Sequence, residues 1–430
     1  MKKILLMGLL SIITPFLFAQ NINSIINKTE VERIEKKLSS DEMQGRKVFT
    51  PGIEKAAVFI EDQFKKAGLQ PLETDGSSYR QNFMMLKLKS SNASLQLEGK
   101  EIPAGHFLIR SPEKLLDINE NSGYTKVAIT KNDSDFFTHL LQLLQVHHNQ
   151  IIFVDTSFSA YFPRLNYYLR QFLQNAASTI LVLTDQTNPE HFQLKAQQVF
   201  TEMPLSNMVG ILRGKELPNE YVIFSGHYDH LGIGKAINND SIYNGANDDA
   251  AGTTAVIMLA KYFSQLHNNK RTLIFAAFTA EEIGEYGSAY FSDQFNPDAV
   301  KAMFNIEMIG TESKWGKNSA YITGYDKTDM GKILQSNLKG SQFNFYPDPY
   351  TEENLFYRSD NATLAIKGVP AHTISTSKMD NEPNYHQLTD EITTLNIANM
   401  TEIIKAIAIS SQTIISGKDT PSRVNATNLK

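Results

Sequence analysis

Five short motifs in this chain carry side chains that can bind cations or move protons. They are His227 in SGHYDH, Asp248 in NGANDDAAG, Glu281 and Glu282 in TAEEIGEYGS, Glu307 in FNIEMIG, and His386 in NYHQLTDE. Four of them fall where an apolar run gives way to a polar turn. Together they offer enough imidazole and carboxylate groups to hold two cations and leave one carboxylate over to take a proton from water, the inventory of a two-metal hydrolase.

Each motif adds a specific expectation. His227 and Asp229 are two apart at a strand end, so extended backbone puts them on one face and turns His230 away. A metal-bound imidazole commonly passes its other N–H to a carboxylate, and Asp229 is the candidate for that task. In NDDAAG, Asp249 suits an ordinary helix cap. Asp248 is the better candidate to span two cations, because one carboxylate can give an oxygen to each. Acids in a first helical turn also suit the helix dipole. Glu281 and Glu282, however, diverge by about 100° as consecutive helical residues. That frees Glu282 to bind metal and Glu281 to act as base. Glu307 follows a strongly apolar run, where an unpaired buried charge is costly. Tyr385, beside His386, is a candidate donor to a substrate oxyanion, with simple loop packing as the alternative.

The elements that must position these groups are legible as alternating apolar strands and helices from Ser206 onward, the pattern of a mostly parallel sheet covered on both faces. Tyr221 to Ser225, Thr272 to Phe278 and Ala302 to Ile306 have the length and β-rich content of buried strands. Each runs into a candidate ligand, and in open α/β sheets functional groups gather beyond the strands' carboxyl ends. Helices are expected at Thr29–Leu38, from Thr50-Pro51 to about Lys66 with Gly68 as the stop, at Asp249–His267, at Glu281–Phe291, and from Asp390 to about Ile415. The polar LSSDEMQGR lies between the first two.

Composition narrows the class. The 430 residues are 41% hydrophobic and 20% charged, with a formal net charge of −5, which fits a globular fold and gives no basic surface for nucleic acid. Lys2 and Lys3 followed by the apolar run Ile4–Phe18 read as an export signal over residues 1–19, too short and wrongly flanked for a membrane span. The protein is then periplasmic or extracellular, with no stable membrane insertion. No cysteine is present, so any metal must be held by His, Asp and Glu. The expected organisation is a signal at 1–19, an N-terminal part of the main domain at 20–85, an inserted accessory segment of protease-associated type at 86–205, the main domain at 206–415, and a loose tail at 416–430.

Taken in order, these motifs resemble those of the co-catalytic zinc aminopeptidase family, in its exported bacterial form. That group also includes glutamate carboxypeptidases, glutaminyl cyclases and some non-catalytic receptor ectodomains. The resemblance covers residues 30–85 and 205–412, and LSSDEMQGR and TPGIEKAAVFI share it. It implies a three-layer α/β/α zinc exopeptidase fold with a mixed, mostly parallel sheet and two zinc ions. Asp248 would bridge them, with Glu282 and His386 on one zinc and His227 and Glu307 on the other. Glu281 would be the general base, peptides the substrates, and the Asp248-Asp249 peptide cis. The family usually has aspartate at the Glu307 position, so a weaker second zinc is expected. Glutaminyl cyclisation and a non-catalytic binding module are the competing readings; the intact His227 argues against the first and the complete ligand set against the second.

Overall fold

The computed structural model describes residues 22–72, 78–144 and 146–428. The export signal expected at residues 1–19 lies outside the described residues. The chain divides into two compact units, one of Met1–Asn82 with Ser206–Leu429 and one of Phe83–Leu205.

The first unit is built on a mixed sheet. Its strands are β1 (Phe192–Leu212, of which Met208–Leu212 pair here), β2 (Leu217–His227), β3 (Arg271–Phe278), β4 (Val300–Ile306), β5 (Ser319–Ile322), β6 (Asn344–Pro347) and β7 (Ala371–Ser375). The spatial order is β6-β5-β7-β4-β2-β3-β1. The central four strands are mutually parallel, whereas β1 runs antiparallel to β3 and β5 antiparallel to β7.

Alternation along the apolar runs explains why both faces are covered. Val222, Phe224, Leu273, Phe275, Ala302 and Phe304 pack on one face with helices α1 (Lys28–Leu38), α2 (Pro51–Ala67), α3 (Ala251–Leu266) and α6 (Ile397–Ser410). Ile223, Ile274, Ala276, Phe278, Met303 and Ala371 face the other way, against Phe291 of α4 (Tyr286–Ser292) and Leu364. A strand buried on both sides has no polar face to show, which is why these runs read as continuous apolar stretches. Phe224 stacks on Phe263, Phe275 and Phe304 with ring centroids 5.5, 5.7 and 4.9 Å apart. Helix α3 is fully buried from Ala251 to Ala260, and Gly252 lets its first turn meet β4, since a Cβ there would lie 2.0 Å from the Ile306 carbonyl oxygen.

The early helices fall close to expectation, and Gly68 ends α2 in the left-handed conformation, φ 78°. Three expectations are corrected. Residues 281–285 form a turn and the helix starts only at Tyr286, because Ala280, Gly284 and Glu285 take positive φ values that helical geometry excludes. The closing helix starts at Ile397, not Asp390: the Asn396 side chain accepts from the Asn399 N–H as its cap, and Asp390 is engaged elsewhere. The tail, expected to be loose from residue 416, is anchored as far as Val424. Buried Arg271 donates to the Asp419 carbonyl and the Thr420 hydroxyl, Arg423 donates to the Val300 carbonyl at 2.9 Å, and the Val424 N–H donates to the Gly368 carbonyl.

The second unit contains a four-stranded sheet in the order Phe107–Arg110, Thr179–Leu183, Gln150–Val154 and Thr125–Ile129. Its first pair is antiparallel and the others parallel. Ile151, Phe153, Ile180 and Val182 pack on one side, and Ile152, Val154 and Leu181 on the other. His147 and His148 are exposed. Among the described residues, no helix is long and apolar enough to cross a membrane.

Candidate metal centre

Parallel pairing sets His227 beside Phe278 and Ser225 beside Asn305, so β2, β3 and β4 end side by side and deliver their loops to one place. Asp249 locks that junction. One of its carboxylate oxygens accepts from the His227 N–H at 3.1 Å, the other from the Gly252 and Met308 N–H groups at 2.9 and 3.0 Å. It therefore caps α3, as expected, and also ties together the ends of β2 and β4. The Asp248-Asp249 peptide is cis, as the resemblance implied. Asp390, far along the chain, accepts from the Asn247 and Asp248 N–H groups at 2.8 and 3.0 Å, fixing the loop that carries Asp248.

Around Asp248 the expected residues come together. Its Oδ1 is 3.2 Å from His227 Nε2, and its Oδ2 is 3.2 Å from His386 Nε2. His386 Nε2 is also 3.2 Å from Glu282 Oε2. Glu307 completes a group with His227 and Asp248 in which one potential ligand atom from each lies within 4.8 Å of the others. Glu281 Oε2 is 3.9 Å from His227 Nε2. A sixth side chain joins them: His230 Nδ1 lies 2.6 Å from Glu282 Oε1, and His230, Asp248 and Glu282 form a second such group.

The position of His230 corrects the expectation that it turns away. Strand β2 ends at His227, so the two-residue alternation no longer governs residue 230. Asp229 also differs from expectation. The His227 Nδ1 lies 3.2 Å from the Asp229 main-chain carbonyl, in hydrogen-bond range, whereas the Asp229 carboxylate is 3.8 Å away. That carboxylate instead accepts from the Glu281 and Glu282 N–H groups at 3.2 and 3.4 Å, holding the turn after β3. Tyr385 stacks on His386 with ring centroids 4.0 Å apart and lines, with Glu307, Met308, Tyr321, Arg358 and Ser359, a cleft open to solvent.

The residue furthest from expectation is Arg46, in the stretch expected only to form a polar turn. Its guanidinium is fully buried and donates to the carbonyls of Leu38, Tyr228, Asn244 and Gly245 at 2.6–2.9 Å. It thereby fastens the His227–His230 loop to the loop that leads into Asp248. The arginine in a turn motif was the only sequence signal, and its partners are backbone carbonyls that no motif reveals.

The electrostatics fit a cation. Burial and the neighbouring Glu307 and Asp360 carboxylates push Glu281 well above the usual carboxylate range, with the His227 imidazole acting in the opposite direction. Burial likewise pushes Glu307 up to about 7 and Asp360 up to about 6. Both Asp360 carboxylate oxygens are buried, as is His227 Nε2. Hydrogen bonds that its imidazole donates to the Asp248 and Glu282 carboxylates hold His386 up at about 10. Asp248 goes the other way: against the effect of burial, hydrogen bonds from His227 and His386 hold it well below the usual carboxylate range, and Glu282 is lowered too. Zinc ligands at about 2.0–2.2 Å in a tetrahedron are about 3.3–3.6 Å from one another. The three 3.2 Å separations, two from Asp248 and one between His386 and Glu282, lie close to that edge.

Residues 207–410 match the model of peptidase family M28. A probable zinc metalloprotease of Pyrenophora teres is 32% identical over 125 residues, 29% of this chain and 26% of that protein. Aminopeptidase YwaD of Bacillus subtilis is 29% identical over 134 residues, 30% of this chain and 27% of that protein. The chain thus aligns with only about a quarter of the length of each. Among solved structures, an aminopeptidase from Aneurinibacillus sp. strain AM-1 superposes with a TM-score of 0.54 at 16% identity, over 96% of this chain and 98% of that one. BSAP, a zinc aminopeptidase from Bacillus subtilis, gives 0.55 at 15% identity, over 92% and 97%. These likenesses establish the zinc aminopeptidase fold, three-layered and mixed as expected.

Proposed function

We propose that this protein is a zinc-dependent exopeptidase, an exported aminopeptidase that releases N-terminal residues from peptides. The observation that carries the reading is the double reach of Asp248, one oxygen toward His227 and the other toward His386. A carboxylate so placed suits two cations, one held with Glu282 and His386 and the other with His227 and Glu307. The longer Glu307 leaves the second site the weaker.

Zinc bound there would polarise the scissile carbonyl and lower the pKa of water. Glu281 takes the proton from the attacking water and returns it to the leaving amine, a task favoured by the proton affinity that its burial confers. The tautomer with hydrogen on His227 Nδ1, facing the Asp229 carbonyl, leaves the Nε2 lone pair directed at the site. Burial pushes the Tyr385 phenol up, so it stays protonated at neutral pH and able to donate to the oxyanion.

The test is hydrolysis of a panel of aminoacyl, dipeptide and N-terminal glutaminyl substrates, with and without chelator. Release of free N-terminal amino acids, abolished by chelator and restored by zinc, is expected. Cyclisation of the glutaminyl substrate without hydrolysis of the others, or no turnover at all, would reject it.

A further inference from the structure

We propose that His230 is a positioning residue of the metal centre: its Nδ1–H grips one carboxylate oxygen of Glu282 and so presents the other oxygen, in a single orientation, to the cation shared with Asp248 and His386. This rests on the metal-binding reading above and adds to it a residue that touches no metal itself.

Geometry separates the two parts that a buried histidine here can play. Ligands of one tetrahedral zinc stand about 3.3–3.6 Å apart. His386 Nε2 keeps close to that distance from both Asp248 Oδ2 and Glu282 Oε2, at 3.2 Å each. His230 Nδ1 does not. It is 2.6 Å from Glu282 Oε1, too close for a shared tetrahedral edge and normal for a charge-assisted hydrogen bond, and it is 4.0 Å from Asp248 Oδ2, too far for one. The two oxygens of Glu282 are therefore divided, Oε1 to His230 and Oε2 toward His386.

His230 is also held where it cannot easily leave. Its side chain is buried, and its N–H donates to the Arg46 carbonyl. The ring packs close to Gly245, where an added Cβ would come within 2.4 Å of the imidazole Cδ2. Its Nε2 has no hydrogen-bond partner among the described residues, so Glu282 is what its polar edge serves. A free glutamate rotates and can swing between one-oxygen and two-oxygen binding. Fixing Oε1 removes that freedom before the ion arrives, and outer-shell partners of this kind are worth about 10- to 100-fold in metal affinity.

The test uses two amide variants of similar size. Asparagine places its NH₂ near the position of Nδ1, and glutamine places it near Nε2, beyond reach of Glu282 Oε1. Zinc affinity of the full chain is measured by competition with a chromogenic chelator for wild type, His230→Asn, His230→Gln and His386→Ala, with thermal unfolding of each zinc-free protein alongside. The proposal expects His230→Asn to bind nearly as tightly as wild type and His230→Gln to lose about 10- to 100-fold at one ion only, less than His386→Ala loses. Equal affinity in both amide variants overturns it, as does a loss in both that equals that of His386→Ala, which would make His230 a ligand. Wild type that binds no zinc would instead reject the metal reading itself.

Discussion

At the residue scale, two adjacent glutamates sit in different surroundings that suit them to different tasks. Glu282 faces the histidines, and Glu281, 3.9 Å from His227, lies among carboxylates that make a proton welcome. Glu281→Gln should therefore keep the metal content of wild type while lowering kcat by about 10²–10⁴-fold, the usual worth of a general base. Metal analysis with steady-state kinetics checks this, and undiminished turnover would remove Glu281 from the mechanism. Of the groups at the site, those in motifs were legible in the sequence. His227, Asp248, Glu281, Glu282, Glu307 and His386 all arrive where spacing and resemblance put them together. The positions of His230 and of the Asp229 carboxylate were not, because two-residue alternation ceases to apply where β2 ends at His227.

The relevant elements are loops fastened from below, and the main fastener is a single buried cation. Arg46 satisfies main-chain carbonyls from the end of α1, from the loop after β2 and from the loop before α3. Arg46→Met leaves those carbonyls buried and unpaired. A buried carbonyl left without its donor costs about 1–3 kcal/mol. The urea unfolding midpoint should fall accordingly, and zinc affinity with it, because two ligand-bearing loops lose their common anchor. A variant with an unchanged midpoint would show that the loops stand without it. Central strands were the most legible elements, since burial on both faces writes itself as unbroken apolar runs such as TLIFAAF. Element ends were least legible. The turn at 281–285 and the late start of α6 depend on positive φ values and on hydrogen bonds to distant residues.

For the whole molecule, stability depends on burying acids as well as apolar groups. Glu35, fully buried on α1 and accepting from the Thr254 hydroxyl, is pushed up to about 8 by burial. The folded protein therefore keeps a proton that the unfolded chain releases above its ordinary value of 4.5. Stability contributed here falls as pH rises from about 4.5 to about 8 and is level beyond that. Glu35→Gln, which cannot ionise, should match wild type at pH 4.5 and exceed it by a growing margin toward pH 8 in chemical unfolding. A constant difference across that range would contradict the assignment. The anchored tail was not legible in the sequence, because its anchors are Arg271 and Arg423 reaching main-chain and hydroxyl oxygens.

The central claim is that one aspartate serves two cations, and metal stoichiometry tests it most directly. Elemental analysis of zinc-equilibrated protein should give about two ions per chain for wild type and fewer than about one for Asp248→Ala, since a bridging carboxylate contributes to both sites. If wild type holds at most one ion at saturation, or if Asp248→Ala retains both, the bridged two-metal centre is wrong.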